Sequence, residues 1–203
     1  LLGHQEKNKQ LYRKGISIIS LIVACYNDEK HIPLLYERTV KVFRTLDYQY
    51  EIIFVNDGSI DKSSDVIKEL SHKDPYVIGI NHNRNFGSQA AFLSGLSESN
   101  GEAFLFLDGD LQDPPELIPQ LLKKWEKGIK VVGARRVGRV ENAIIEKARK
   151  IFYRLLKYFS QDPIHLDVGE FALMDKSLKA KLLSMQDSSP SVRIMRSYLG
   201  ESY

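Results

Sequence analysis

Ala103-Phe104-Leu105-Phe106-Leu107-Asp108-Gly109-Asp110-Leu111-Gln112-Asp113 decides how the rest of this chain reads. Five consecutive apolar residues end abruptly in a stretch carrying three aspartates. A short, continuous apolar run bounded by turn residues is the pattern of a strand buried on both faces. The aspartates then sit where that strand emerges from the core. Working outward, residues 16–24, 51–55, 76–80 and 130–132 are further Ile-, Val- and Phe-rich runs of strand character. Residues 31–45, 62–72, 88–99 and 115–127 carry helical periodicity. The last opens on Asp113-Pro114-Pro115-Glu116, an acidic start with prolines in the first turn, and stops at Gly128. Strict alternation of the two patterns predicts βαβ units. The fold class is therefore α/β, with a Rossmann-like, mostly parallel sheet carrying helices on both faces.

After residue 134 the rhythm changes. A long basic helix is expected over 141–160, then a short apolar run at 171–174 and a further helical stretch. No repeat or linker divides the chain, so residues 15–203 read as one domain. Residues 1–14 are polar and unpatterned, an N-terminal extension or cloning remnant. At 203 residues, 43% hydrophobic and 27% charged, the chain can bury a core without staples. One cysteine, Cys25, excludes an internal disulfide framework, and five scattered histidines show no zinc-ligand spacing. No run of 18 apolar residues and no signal-peptide pattern is found, so a reduced, cytoplasmic domain is expected. The overall charge is +3, but residues 122–160 hold twelve Lys or Arg against three Glu, a local net of +9. That asymmetry points either to an anionic partner or to a solvated helix face.

Ligands of open parallel sheets bind beyond the carboxyl ends of the strands. Here the first four strands all end in polar clusters: Cys25-Tyr26-Asn27-Asp28-Glu29, Asn56-Asp57-Gly58-Ser59, Asn81-His82-Asn83-Arg84-Asn85 and Asp108 to Asp113. One such cluster is a turn; four on one sheet edge make a site. Asp108 and Asp110 would repel one another unless they share a cation. Oxygen ligands without His or Cys favour Mg2+ or Mn2+, with Gln112 as a third oxygen donor. An ion held by few protein groups keeps positions open for phosphates, so a nucleoside diphosphate is the expected ligand. The sequence has no G-x-x-x-x-G-K-[ST] loop and no G-x-G-x-x-G after the first strand, which excludes P-loop and dinucleotide-binding readings. Haloacid-dehalogenase-like phosphatases carry Asp-x-Asp on their first strand followed by Thr or Val, whereas Leu111 follows here.

These segments resemble the family 2 glycosyltransferases of GT-A fold, and more narrowly the polyprenyl-phosphate glycosyltransferases. The resemblance runs over about residues 16–200. It is carried by the clusters after the first two strands, by Arg84-Asn85-Phe86-Gly87-Ser88-Gln89-Ala90-Ala91, by Asp108 through Glu116, and by Phe152-Tyr153-Arg154-Leu155-Leu156. It implies nucleotide binding by Ala24, Tyr26, Asp28, Asp57, Asp108 and Arg135, with Tyr26, Asp28 and Asp57 lining base and ribose. Asp108, Asp110 and Gln112 would hold the metal and diphosphate. Catalysis would fall to Asp110, Glu170, Arg136 and Arg139, with the arginines facing the lipid phosphate or the diphosphate. Residues 135–203 would form the acceptor side, continuing in relatives into membrane helices. The chain departs from the family at Ala24, where Pro is usual, and at Gly169-Glu170-Phe171-Ala172-Leu173, where Gly-Asp-Phe-Arg-Leu is common.

The implied reaction is metal-dependent, inverting transfer of a sugar from a UDP- or GDP-linked donor to a polyprenyl phosphate at the cytoplasmic membrane face. Lys147, Lys150, Arg154 and Lys157 recur at three- and four-residue steps and would suit an anionic membrane surface, or an ordinary amphipathic helix packed on the sheet. Two other readings stand beside this one. A same-fold transferase acting on a saccharide hydroxyl would need Glu170 or Asp167 as a true base. A catalytically silent basic module would bind anionic membranes. Nucleic acid is not expected, because no aromatic–basic interleaving marks a base-stacking platform.

Overall fold

The computed structural model describes residues 17–135 and 168–184. They form a six-stranded sheet in the order β3-β2-β1-β4-β6-β5. The first four strands are β1 (Ile18–Cys25), β2 (Gln49–Asn56), β3 (Val77–Asn81) and β4 (Ala103–Asp108). They run parallel, joined through α1 (His31–Phe43), α2 (Ser63–Lys73) and α3 (Ser88–Glu98).

Alternation along each strand splits its apolar residues between two cores. Ile19, Leu21, Val23 and Cys25 of β1 meet Ile32, Leu35 and Phe43 of α1, with Ile67 of α2. Ile118, Leu121 and Leu122 of α4 (Ile118–Trp125) join the same cluster. Ile22 and Ala24 point the other way, toward Ala91, Phe92 and Leu96 of α3. Leu182 of α5 (Lys179–Ser184) completes that second core. Each fully buried Ile, Leu or Phe contributes about 1.5–3 kcal/mol. A sheet sandwiched in this way holds its strand ends in fixed register, which is what the site requires.

Two features differ from the sequence expectation. The run at 171–174 is the centre of a sixth strand, β6 (Val168–Asp175), inserted antiparallel between β4 and β5 (Val131–Arg135). Phe171, Ala172, Leu173 and Met174 are all buried, so their apolar pattern is a strand's, but the direction of pairing is set by distant partners. The helix expected over 115–127 opens as a 3-10 turn, Pro115–Leu117, before α4, and Gly128 at φ +89° ends the segment. The long basic helix expected over 141–160, with Arg136, Arg139, His165 and Asp167, lies outside the described residues. Among the described residues no helix is long and apolar enough to cross a membrane.

Candidate functional site

The parallel strands continue hydrogen bonding one step into their polar clusters. Asp57 N–H donates to Cys25 O at 2.8 Å, Gly109 N–H to Ala24 O at 2.8 Å, and His82 N–H to Asn56 O at 2.9 Å. The loops after β1 and β2 are then tied together side chain to backbone. Asn27, in the left-handed region at φ +58°, donates its N–H to Ser59 Oγ (2.9 Å), and its Oδ1 accepts from Ile60 N–H (3.0 Å). Asp28 N–H donates to Ser63 Oγ (2.9 Å), Glu29 N–H to Asp61 Oδ2 (3.1 Å), and Lys62 N–H to Glu29 Oε2 (3.0 Å). Five such bonds across two loops make a rigid rim.

Inside that rim is a cavity of about 290 Å³. Ala24, Cys25, Tyr26, Asp28, Asp57, Asn85, Gly87, Ser88, Asp108, Gly109 and Asp110 line it, so all four strand ends or their loops contribute. Four of these residues are aspartates and none is Lys or Arg.

The aspartates fall into two pairs. Asp28, buried, accepts from Tyr26 N–H through Oδ2 (2.9 Å) and pairs with His31 Nδ1 through Oδ1 (3.0 Å). Asp57, also buried, accepts from Phe86 N–H through Oδ1 (2.9 Å) and from Gly87 N–H through Oδ2 (2.7 Å), with His82 Nδ1 at 2.7 Å from Oδ1. These two carboxylates organise backbone. Asp108 and Asp110 are half-buried at the end of β4, and Asp110 Oδ1 accepts from Gln112 N–H at 3.0 Å. Leu111 between them and Gln112 holds φ +62°, a conformation that costs a bulky residue about 1–2 kcal/mol. The turn folds Gln112 back under the Asp110 carboxylate. Its far end is fastened to α1 by a bidentate pair, Arg38 Nε to Glu116 Oε1 at 2.9 Å and Nη2 to Oε2 at 2.6 Å.

Cys25 touches the cavity but is fully buried. Burial pushes its thiol well up, and Asp28, Asp108 and Asp61 push it further, so it is a core thiol and not a nucleophile.

Of the residues singled out in the sequence, Ala24, Tyr26, Asp28, Asp57, Asp108 and Asp110 come together around the cavity. Gln112 is exposed and is not among the lining residues. Arg135 ends β5, and Glu170 belongs to the start of β6. Because Ala172 pairs with Phe106 in antiparallel register, the backbone of Glu170 lies toward the same sheet edge as Asp108. Sequence reasoning missed the part played by Asn85, Gly87 and Ser88, and the link from His82 to Asp57. The signal was the polar run after β3, whose residues bear no recognisable chemistry until the loop is seen folded over Asp57.

Across residues 20–183 the chain matches the model of glycosyl transferase family 2. The chain belongs to that family. It is 38% identical over 182 residues to the uncharacterized glycosyltransferase YkcC of Bacillus subtilis (strain 168), covering 89% of this chain and 56% of that protein. It is 36% identical over 184 residues to a prophage bactoprenol glucosyl transferase homolog of Escherichia coli (strain K12), covering 90% of this chain and 60% of the relative. The chain thus spans somewhat over half the length of these curated relatives. In three dimensions it resembles the mannosyltransferase PcManGT from Pyrobaculum calidifontis, solved with GDP-Man and Mn2+. The TM-score is 0.54 at 18% identity, over 89% of this chain and 53% of that one, a likeness of fold. The family 2 member described here has the GT-A arrangement expected from its sequence.

Proposed function

We propose that the cavity is the donor site of a metal-dependent, inverting glycosyltransferase that moves a sugar from a nucleotide diphosphate to a polyprenyl phosphate at the cytoplasmic face of a membrane. One observation carries this reading: among the described residues, four carboxylates and no basic side chain line a cavity at the carboxyl edge of the sheet. A diphosphate entering it would meet like charge on every side unless a cation entered too. Asp108 and Asp110 fit that cation. They are oxygen donors at the end of β4, and both line the cavity. Two protein ligands leave positions for phosphate and water, as Mg2+ or Mn2+ prefers. Bound there, the ion would neutralise charge on the departing diphosphate.

The protein's own groups supply the rest of the reading. Tyr26, half exposed at the rim, offers a ring face to the base, while the Asp28 and Asp57 loops shape the ribose end. Arg135, Arg136 and Arg139 would contact phosphate oxygens. A phosphate monoester has a second pKa near 6, so the acceptor is largely ionised at neutral pH. Glu170 would then orient the acceptor instead of deprotonating it. The basic stretch over 122–160 supports an anionic membrane surface as partner. The relatives, bactoprenol glucosyl transferases among them, favour the lipid acceptor.

Thermal stability with UDP, GDP or CDP, each with Mn2+ or with chelator, tests the donor site. At 100 times Kd the expected gain is about 2.7 kcal/mol, lost with chelator. No stabilisation by any of the three overturns the donor reading. Transfer from the stabilising nucleotide's sugars to undecaprenyl phosphate, against a free saccharide, then separates lipid from hydroxyl acceptors.

A further inference from the structure

Behind the cavity wall formed by Asp57 stand two side chains, His82 and Ser94, that have no place in the chemistry above. His82, only 12% exposed, stands between Asp57 and Ser94 of α3, with Nδ1 2.7 Å from Asp57 Oδ1 and Nε2 2.9 Å from Ser94 Oγ. A carboxylate oxygen accepts, so Nδ1 donates, and Nε2 of the neutral ring accepts from the Ser94 hydroxyl. That tautomer is assigned from the partners. Serine, histidine and aspartate in line are the residue types of a hydrolytic triad, but here the cavity lies at the aspartate end, and Ser94 is not among its lining residues. The row therefore delivers orientation to Asp57 and not a nucleophile to a substrate.

What Asp57 does with that orientation is visible in the next loop. Its carboxylate, 3% exposed, receives Phe86 N–H on one oxygen and Gly87 N–H on the other. Gly87 sits at φ +91°, ψ 154°, a region open essentially to glycine alone. It opens α3, and with Asn85 and Ser88 it lines the cavity. Phe86 packs edge-on against the His82 ring at 5.5 Å, and the Arg84 guanidinium lies 4.8 Å from the Phe86 centroid. His82 thus touches the end of β2, the start of the loop and the body of α3 at once.

We propose that Ser94, His82 and Asp57 form a positioning relay that holds residues 85–88 against the cavity, making His82 a positioning residue for nucleotide-donor binding. The ligand rests on the donor-site reading; the relay rests on the hydrogen bonds. Without His82 the buried Asp57 oxygen loses a donor, and the carboxylate turns toward water and releases the Phe86 and Gly87 amides.

The test is amide hydrogen exchange by NMR together with titration of UDP and of GDP, each with Mn2+. His82→Ala is expected to speed exchange at Phe86 and Gly87 about tenfold or more, with β1 and β4 amides unchanged. The Kd of whichever nucleotide binds should rise about tenfold. His82→Asn, which can still donate to Asp57, should recover most of both effects. Ser94→Ala should act in the same direction, and adding it to His82→Ala should change nothing more. Unaltered exchange at Phe86 and Gly87 in His82→Ala overturns the relay. Faster exchange with unchanged nucleotide affinity overturns its link to binding. Wild-type protein that binds neither nucleotide overturns the donor reading instead, while the exchange result still decides the relay.

Discussion

The two edges of one sheet both collect carboxylates and put them to opposite uses. At the edge where the parallel strands begin, Glu51 of β2 is fully buried. Its Oε1 accepts from the Ser20 hydroxyl at 2.6 Å and the Asn100 N–H at 2.5 Å, and Oε2 accepts from Asn100 Nδ2 at 3.3 Å. Ser20 is its register partner on β1, and Ser20 Oγ accepts in turn from Gly101 N–H at 2.8 Å. Lys179 closes the group by donating to Ser99 O at 2.6 Å; burial pulls its pKa down, and Glu51 and Glu98 draw it back up. At the opposite edge Asp108 and Asp110 stand over a cavity with no basic residue in its lining among the described residues. A carboxylate ringed by donors is a structural rivet. Carboxylates facing an open cavity are those proposed above to bind a ligand, and the same strands carry both arrangements.

Exchanging the consequences of mutation between the edges would break that comparison. The largest effect belongs to Asp110→Asn, expected to cut metal-dependent sugar transfer about a thousandfold, or about 4 kcal/mol in barrier. Its urea midpoint should stay near wild type; near-normal turnover would remove Asp110 from the site. Glu51→Ala should do the converse. Stranding the Ser20 hydroxyl and the Asn100 backbone and side-chain N–H groups costs about 3 kcal/mol of unfolding free energy. The folded fraction should keep its nucleotide affinity, as equilibrium denaturation and titration together would show. Gly58→Ala sharpens the boundary. Gly58 has φ +69°, and an added Cβ would press on the Arg84 and Asn85 backbone. A loss of about 2 kcal/mol, accompanied by weaker nucleotide binding, is expected because the two loops meet there.

The smallest effect concerns the exposed Arg38–Glu116 clamp. The Arg38 hydrogen bond holds the Glu116 carboxyl below the usual glutamate range, against the opposing effect of burial. A depressed folded value means that the pair stabilises above the ordinary glutamate pKa and that this is lost as pH falls through the folded one. For so exposed a pair the total is about 0.5 kcal/mol or less. Denaturation of Arg38→Ala against wild type, from neutral pH down to pH 4 and below, should show the difference shrinking toward zero; a growing difference would contradict the assignment.

How much of this was legible in advance follows the same division. The carboxyl edge could be read because parallel topology sends four strand ends one way, and polar residues directly after apolar runs mark those ends. Asp108 and Asp110 were therefore identified from the residues themselves, while Tyr26, Asp28 and Asp57 came through the family resemblance. The other edge was hidden. Ser20 and Glu51 lie within otherwise apolar runs, and nothing local announces that they face each other and Asn100. The partners of His82 stayed hidden for a related reason: Asp57 and Ser94 belong to different elements, and only the packed sheet brings them within 3 Å. Gln112 shows what a pattern alone leaves open, since its backbone amide is engaged by Asp110 and the residue is exposed.

The antiparallel strand β6 also dictates an order of assembly. β5 has β6 as its neighbour in the sheet and none of the earlier strands. Synthesis therefore delivers β5 before β6, its partner among the described strands, and that pairing waits until β6 docks along β4. The parallel half, β1 to β4, can close on local crossovers alone, whereas the half bearing Arg135 and Glu170 is completed by long-range pairing. A nascent chain halted before residue 168 would thus lack two strands, not one, and would present the β4 edge open to another molecule.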